Sequence, residues 1–280
     1  MKVYEYANPS WGKAFSRISY ELRKHSPEWV EWVSSMDACE IALVHEVGGA
    51  ESIQLREALE KGKKLIIVQH TYFTSGFSKW EEFWEQALLT VSFHNLPEYT
   101  DKKFAFFHTP WGADPEIFYL ENHVRNIKVF ATGHVAQTEN LDKVYDACLR
   151  THNVMFHTGE NFKWGIKYRH MPYMPDDKLR TTLNQTEYVP CLREHEGFEL
   201  MGIEGLFCGA RPIVPNINTY NWYSKYSHVV DMGGDVTGQL VDILSNPSLP
   251  VLPEEYNEIV ATFSWGRIVA NIFTAIQERL

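Results

Sequence analysis

The chain of 280 residues reads as an α/β protein made of two halves, each built around a parallel sheet. Three observations predict this. Short apolar runs alternate with segments of helical period, the pattern of βα units. The alternation breaks at Thr109-Pro-Trp-Gly-Ala-Asp-Pro115, where two prolines and a glycine mark a hinge. It then resumes, and the net charge of −10 divides evenly between residues 1–118 and 119–280, two halves of similar grammar without an internal repeat.

In the first half, the apolar runs at 3–6, 41–45, 65–69, 89–93 and 104–108 are the expected strands. Between them, 13–24, 51–61 and 79–86 repeat apolar residues at three and four and predict helices. After the hinge, strands are expected at 128–131, 154–157, 188–192 and 211–214, and helices at 141–150, 176–184, 200–208 and 238–244. The chain ends on a helical segment, 264–280, in which Ile268, Val269, Ile272, Phe273 and Ile276 make one apolar stripe. Ser264 is suited to cap its start. Two such halves facing each other would leave a cleft between the carboxyl ends of their strands, where open sheets of this kind bind ligands.

Composition narrows the function classes. With 44% hydrophobic and 22% charged residues the chain is globular rather than disordered or collagenous. A mean hydropathy of −0.31 and the lack of a long apolar run argue against a membrane span or integral membrane contact. The opening residues MKVYEYANPSWGKAF have neither the basic start nor the apolar stretch of a secretory leader. Cys39, Cys148, Cys191 and Cys208 lie far apart with no CxxC pair, so a reducing cytoplasm without a zinc site or disulfide framework is expected. The acidic balance of both halves weighs against a charge-driven grip on nucleic acid or anionic membrane. Aromatics at 14% suit a well-filled core, with ring-stacking surfaces as the functional alternative.

The most informative segment is Arg193-Glu-His-Glu-Gly-Phe-Glu-Leu-Met-Gly-Ile-Glu-Gly-Leu-Phe-Cys-Gly-Ala-Arg-Pro-Ile-Val214. It sets Glu196 beside Gly197 and places Glu204 inside a helix closed by Gly209. Helical rise would separate the two carboxylates by about 12 Å, close to the reach of a nucleotide sugar from ribose to hexose. The helix start offers unpaired N–H groups and partial positive charge, which suit a diphosphate. No HExxH, GxSxG or Walker motif is present, nor an Asp-x-Asp that would hold a diphosphate through a metal. A metal-independent site with no cofactor is therefore expected.

Glu196, Gly197, Phe198, Glu204 and Cys208-Gly-Ala-Arg-Pro-Ile-Val214 resemble the Glu-x7-Glu region of family-4 (group 1) glycosyltransferases, which have the GT-B fold of two Rossmann-like domains. The resemblance extends over most of the chain. Pro110-Trp-Gly-Ala-Asp114 and Phe118 are similar to the family's hinge, Lys128-Val-Phe-Ala-Thr-Gly133 to the strand and glycine that open its second domain, and Phe263-Ser-Trp265 to the motif before its crossover helix. It implies a compact GT-B enzyme. An acceptor-side domain would span 1–118 and a nucleotide-sugar domain 119–262, with residues 263–280 packing back on the first domain.

Residue by residue, the resemblance implies that Glu204 binds the donor ribose, with Glu199 and Leu200 beside it. Glu196, Gly197 and the backbone at Phe198 would hold the transferred sugar. His45-Glu46, followed by Gly48-Gly49, is similar to the family's His-acid pair at the sugar-facing wall, which makes His45 a candidate catalytic residue; a hydrogen-bonded core histidine is the plain alternative. His70, at another strand end, is expected to support that wall. Gly12 takes the place of a glycine turn near donor and acceptor, and Gly133 with His134 the place of the diphosphate turn. Tyr173 and Met174 either stack on a nucleobase or pack in the core. The family has an Arg and a Lys after the second-domain glycine, whereas this chain offers His134 and no lysine before Lys143. Glu199 also stands where the family has Gly. Compensating charge is expected from Lys163, Lys167 or Arg169, which otherwise form a solvated loop face.

The implied activity is retaining transfer from a nucleoside diphosphate sugar, UDP-linked by preference, to an acceptor hydroxyl. The acceptor stays open among a glycan, a lipid-linked sugar, a metabolite and a modified DNA base. The missing Arg and Lys keep a non-catalytic sugar-nucleotide-binding protein as the competing class.

Overall fold

The computed structural model describes residues 1–8, 13–46, 52–70, 81–193 and 198–280. Its contacts divide into two units, 1–111 with 265–280, and 112–264. Among the described residues no helix is long and apolar enough to cross a membrane.

The first unit runs β1 (Lys2–Tyr6), α1 (Lys13–Lys24), β2 (Glu31–Val33), β3 (Ile41–Glu46), α2 (Ser52–Glu60), β4 (Lys64–Gln69), α3 (Glu81–Gln86), β5 (Leu89–Ser92) and β6 (Phe106–His108). The strands form one parallel sheet in the order β2-β1-β3-β4-β5-β6. β3 and β4 lie at its centre and read as continuous apolar runs because both faces are covered. One face packs Ala42, Val44, Leu65 and Ile67 against Leu55 and Ala58 of α2 and Phe83 and Trp84 of α3.

The second unit runs β7 (Ile127–Gly133), α4 (Leu141–Arg150), β8 (Met155–Gly159), β9 (Tyr168–Met171), α5 (Asp176–Asn184), β10 (Thr186–Pro190), α6 (Leu200–Phe207), β11 (Arg211–Pro215), β12 (His228–Val230), α7 (Val236–Leu244) and α8 (Pro253–Phe263). Its sheet, also parallel, has the order β12-β11-β10-β7-β8-β9. Val129, Ala131 and Met155 of the sheet pack against Leu141, Val144 and Cys148 of α4 and Leu240 and Leu244 of α7. Arg211 fastens α8 to this sheet. Its buried guanidinium donates to the carbonyls of Tyr226, Leu249 and Pro250 and, at 2.6 Å, to Glu255 in the first turn of α8.

The last helix, α9 (Trp265–Gln277), belongs to the first unit. Its apolar stripe is buried, and Phe273 meets Trp29 and Trp32 edge to face. Each unit is thus an α/β layer structure with a six-stranded parallel sheet, the two-Rossmann-like architecture that the resemblance implied.

Three strands went unpredicted, β2, β9 and β12, and all three lie at sheet edges. An edge strand is short and partly exposed, so it lacks the continuous apolar run that marks a central one. The helix α8 was missed for a related reason. Only Ile259 and Phe263 of its eleven residues are buried, too few to write a helical period.

Candidate functional site

In an open parallel sheet, ligands settle beyond the carboxyl ends of the strands, where successive connections leave in opposite directions. The first sheet has this switch between β1 and β3, and the second between β7 and β10.

At the second switch, β7 ends on Gly133 with a φ of +151°. A Cβ at this position would lie 1.6 Å from Oε2 of Glu139 and 2.0 Å is all that separates the corresponding Cβ of Gly159 from the carbonyl oxygen of Gly133. Glycine is therefore required here by close approach as well as by backbone angle. Glu139 is buried. Its carboxylate accepts from the Val135 N–H at 3.4 Å and pairs with the guanidinium of Arg193, which stands three residues beyond β10 and is 37% exposed. The next residue, Asn140, adopts the left-handed conformation with a φ of +52° and donates its side-chain N–H to the carbonyl of Leu192 at 2.8 Å. The connections after β7 and β10 are thus stitched together by one hydrogen bond and one ion pair.

Helix α6 begins from the same region. Glu199 caps it, its carboxylate accepting from the Met201 N–H. The glutamate found where the family has Gly thus answers one of the N–H groups at the helix start. Leu200 opens the helix, Phe198 packs edge to face on Tyr223, and Gly202 lets the helix approach, since a Cβ there would fall 2.7 Å from the Tyr223 hydroxyl. Glu204 is buried in a helix whose other buried residues are apolar or glycine. A buried carboxylate is tolerated where pairing or hydrogen bonding replaces its water. Burial pushes the Cys208 thiol up, and the Glu204 charge adds to the effect.

The remaining sequence candidates are distributed differently. His134 is exposed on the Gly133 turn. Met174 is buried and accepts a weak hydrogen bond from Thr182, so it packs on α5, whereas Tyr173 is 68% exposed. Lys163 is exposed in the connection from β8 to β9. Lys167 and Arg169 depart from their expected phosphate role. They stand at the amino end of β9, where Lys167 donates to the His152 carbonyl and Arg169 to the carbonyls of Ile166 and Tyr168. A parallel sheet puts that end opposite the Gly133 turn. Gly12, Glu196 and Gly197, with Gly48 and Gly49, lie outside the described residues.

In the first unit, His45 is fully buried on β3. Its Nε2 lies 2.9 Å from Oε1 of Glu5 on β1, and its Nδ1 lies 2.8 Å from Nε2 of His70, just past β4. Both ring nitrogens are taken inside the unit, a departure from the expected place of His45 on a ligand-facing wall. Sequence reasoning missed Glu5, Glu139 and the role of Arg193. The available signals were a lone acid within the apolar alternation of 3–6 and an Asn immediately before the helix at 141–150.

No protein-family profile matches this chain, and no curated protein matches it either. Solved structures do. AviGT4, a glycosyltransferase involved in avilamycin A biosynthesis, is 9% identical with a TM-score of 0.70, covering 99% of this chain and 97% of its own. The trehalose-6-phosphate synthase OtsA is 9% identical with a TM-score of 0.68, covering 99% of both chains. The pneumococcal O-GlcNAc transferase GtfA, solved in complex with UDP and GlcNAc, is 11% identical with a TM-score of 0.67, covering 95% of this chain and 60% of its own. At these identities the likeness establishes the fold: this chain has the GT-B architecture of these glycosyltransferases.

Proposed function

We propose that the chain is a glycosyltransferase that moves a sugar from a nucleoside diphosphate donor, UDP-linked by preference, to an acceptor hydroxyl, with retention at the anomeric carbon and without a metal. The observation that carries this reading is the switch point of the second unit, where the Gly133 turn and the Arg193 guanidinium meet through Glu139 and the chain runs on into the helix bearing buried Glu204. Glu204 would receive the ribose hydroxyls, and Glu196 with Gly197 the transferred sugar. Arg193 supplies the cation absent after Gly133, exchanging Glu139 for the donor's phosphate oxygens. The acceptor oxygen attacks the anomeric carbon from the leaving-group face as the bond to the diphosphate breaks, and a diphosphate oxygen takes the acceptor's proton. Charge developing on that diphosphate is what the guanidinium stabilises. The fold neighbours support the class, and the GtfA complex supports UDP as the first nucleotide to try.

A second reading, a sugar-nucleotide-binding protein without catalysis, is favoured by one observation. Two carboxylates, Glu139 and Glu199, stand where phosphate oxygens would be received. Calorimetry with UDP and UDP-glucose, followed by assay of donor hydrolysis, separates the two. Binding with turnover supports the enzyme, binding without turnover selects the second reading, and no binding across a donor panel removes both.

The same calorimetry tests the residues. Arg193→Ala is expected to weaken UDP binding ten- to a hundred-fold, the loss of a charge-assisted hydrogen bond of about 1.5–3 kcal/mol. Glu139→Gln keeps the side-chain shape, removes the competing charge and is expected to tighten binding. Glu204→Gln should raise the donor KM more than it lowers kcat, because ribose is held alike in ground and transition states. UDP affinity indifferent to all three variants would remove this assignment.

A further inference from the structure

Between β11 and β12 the chain passes through two 3₁₀ turns, Asn218–Trp222 and Ser224–Tyr226, and sets tyrosine at 220, 223 and 226. A 3₁₀ turn holds three residues, so side chains three apart lie on one face. The N–H groups of Tyr220, Tyr223 and Tyr226 donate to the carbonyls of Ile217, Tyr220 and Tyr223 at 3.1, 3.1 and 3.0 Å, which carries that period through all three. All three side chains are buried, and the rings of Tyr220 and Tyr223 meet edge to face with centroids 5.9 Å apart. Three steps of 3₁₀ rise, about 6 Å, account for the spacing.

A buried tyrosine hydroxyl needs a partner, and Tyr220 and Tyr223 find theirs on the main chain of the candidate site. Tyr220 donates to the Arg193 carbonyl at 3.3 Å, and Tyr223 to the Glu199 carbonyl, at the N-terminal cap of α6, at 3.4 Å. Bonds of this length are weak singly, and packing holds them in place. The Tyr223 ring lies so close on α6 that a Cβ at Gly202 would fall 2.7 Å from its hydroxyl and 2.9 Å from Cε2. Its other neighbour is Phe198, edge to face at 5.9 Å. The peptide before Arg193 is held as well, since Asn140 donates to the Leu192 carbonyl at 2.8 Å. A peptide is planar, so a fixed carbonyl fixes its plane. The Arg193 Cα therefore stands between two fixed planes, one held by Asn140 and the other by Tyr220, and these set the direction in which its side chain leaves. The guanidinium so directed meets Glu139, the residue before Asn140.

We infer that Tyr220 and Asn140 are positioning residues that aim the Arg193 guanidinium, and that Tyr223, one 3₁₀ turn on, ties the start of α6 to the same tyrosine ridge. The ridge sets the cation and the helix bearing Glu204 at a fixed spacing. That these groups receive a nucleoside diphosphate rests on the glycosyltransferase reading; the clamp on Arg193 does not.

Nitrogen-15 relaxation of the arginine side chains in the full-length protein tests the clamp without any ligand. The Arg193 Nε–H, identified by its loss in Arg193→Lys, is expected to be ordered on the picosecond-to-nanosecond timescale. Tyr220→Phe keeps the ring, removes the hydroxyl and should loosen it. Asn140→Gly keeps the left-handed backbone, removes the amide and should loosen it too, which decides the matter if Tyr220→Phe fails to fold. An Arg193 Nε–H as ordered in the folded variants as in the parent would overturn the proposal; so would a parent Arg193 as mobile as a fully exposed arginine. Calorimetry with UDP reads the consequence. Tyr220→Phe is expected to weaken binding about two- to tenfold when Arg193 is present, and to change nothing in an Arg193→Ala background, since it acts only through that guanidinium. Tyr223→Phe should weaken binding equally in both backgrounds, because it acts through α6. A Tyr220→Phe loss that persists without Arg193 would show general loosening of the unit and defeat the positioning role. If neither UDP nor UDP-glucose binds the parent while the order of Arg193 depends on Tyr220, the donor reading fails and the clamp stands.

Discussion

Gly133→Ala is expected to destabilise the second unit by about 3 kcal/mol or more. Two penalties act together. An L residue held at a φ of +151° costs about 1–3 kcal/mol. The new methyl, 1.6 Å from a carboxylate oxygen, also displaces Glu139 from a buried position and from its pairing with Arg193. Separating a buried ion pair costs up to about 3–5 kcal/mol, and the partial exposure of Arg193 puts this one at or below the low end. For a unit of this size the melting transition should fall by roughly 6–12 °C. Adding Glu139→Ala removes the collision but not the backbone strain, so the double variant should recover only part of the loss. Differential scanning calorimetry reads both effects, and a Gly133→Ala protein with the parental transition would show that the turn relaxes without cost.

Acidification is expected to be comparably damaging, through histidines that fold neutral. Burial, with His108 nearby, pushes His94 down from 6.5 to about 4; burial, with His170 and His134 nearby, does the same to His157. Between those two pH values the unfolded chain binds a proton that the folded chain refuses. Their stabilisation is complete above about 6.5, falls as the pH drops and levels below about 4. Each contributes about 3 kcal/mol over that window. His70 shifts in the same direction, and Glu5, held below the ordinary carboxyl range, adds a loss at lower pH still. The first unit holds the deeply buried His70, His94 and Glu5, and the second holds His157, the half-buried His228 and the more exposed Glu255, so the first should unfold first in acid. Urea titrations at pH 7, 5.5 and 4 check this, and His94→Asn should flatten the dependence of the first transition. A midpoint that stays constant over this range would contradict the argument.

The central strands and the helices covering them were legible because a parallel sheet buried on both faces writes long apolar runs, as in β3, β4 and β11. The ends of the glycine turn and of α6 were legible too, at Gly133 and Gly209, since backbone angles there leave little choice of residue. Candidate chemistry was harder to read. Glu204 stood out by its spacing from Glu196, but the phosphate-binding cations were sought by sequence nearness, at Lys163, Lys167 and Arg169. Strand direction put Lys167 and Arg169 at the wrong end of the sheet. Arg193 lies 54 positions from Glu139, and only the return of the chain from β9 to the far side of β7 makes them partners.

The sequence by itself determined the local grammar of this protein: the central strands and most of the helices, where glycine is obligatory, and which motifs resemble a GT-B transferase. Periodicity and backbone stereochemistry act over a few residues, so they are written in the order of the chain. Pairings such as Glu5 with His45 and His70, or Glu139 with Arg193, depend instead on strand order and register, which bring together side chains from 25 to 54 positions apart. Only the tertiary structure decided those, because the free energy of a buried charge or imidazole is set by the neighbours that replace its water.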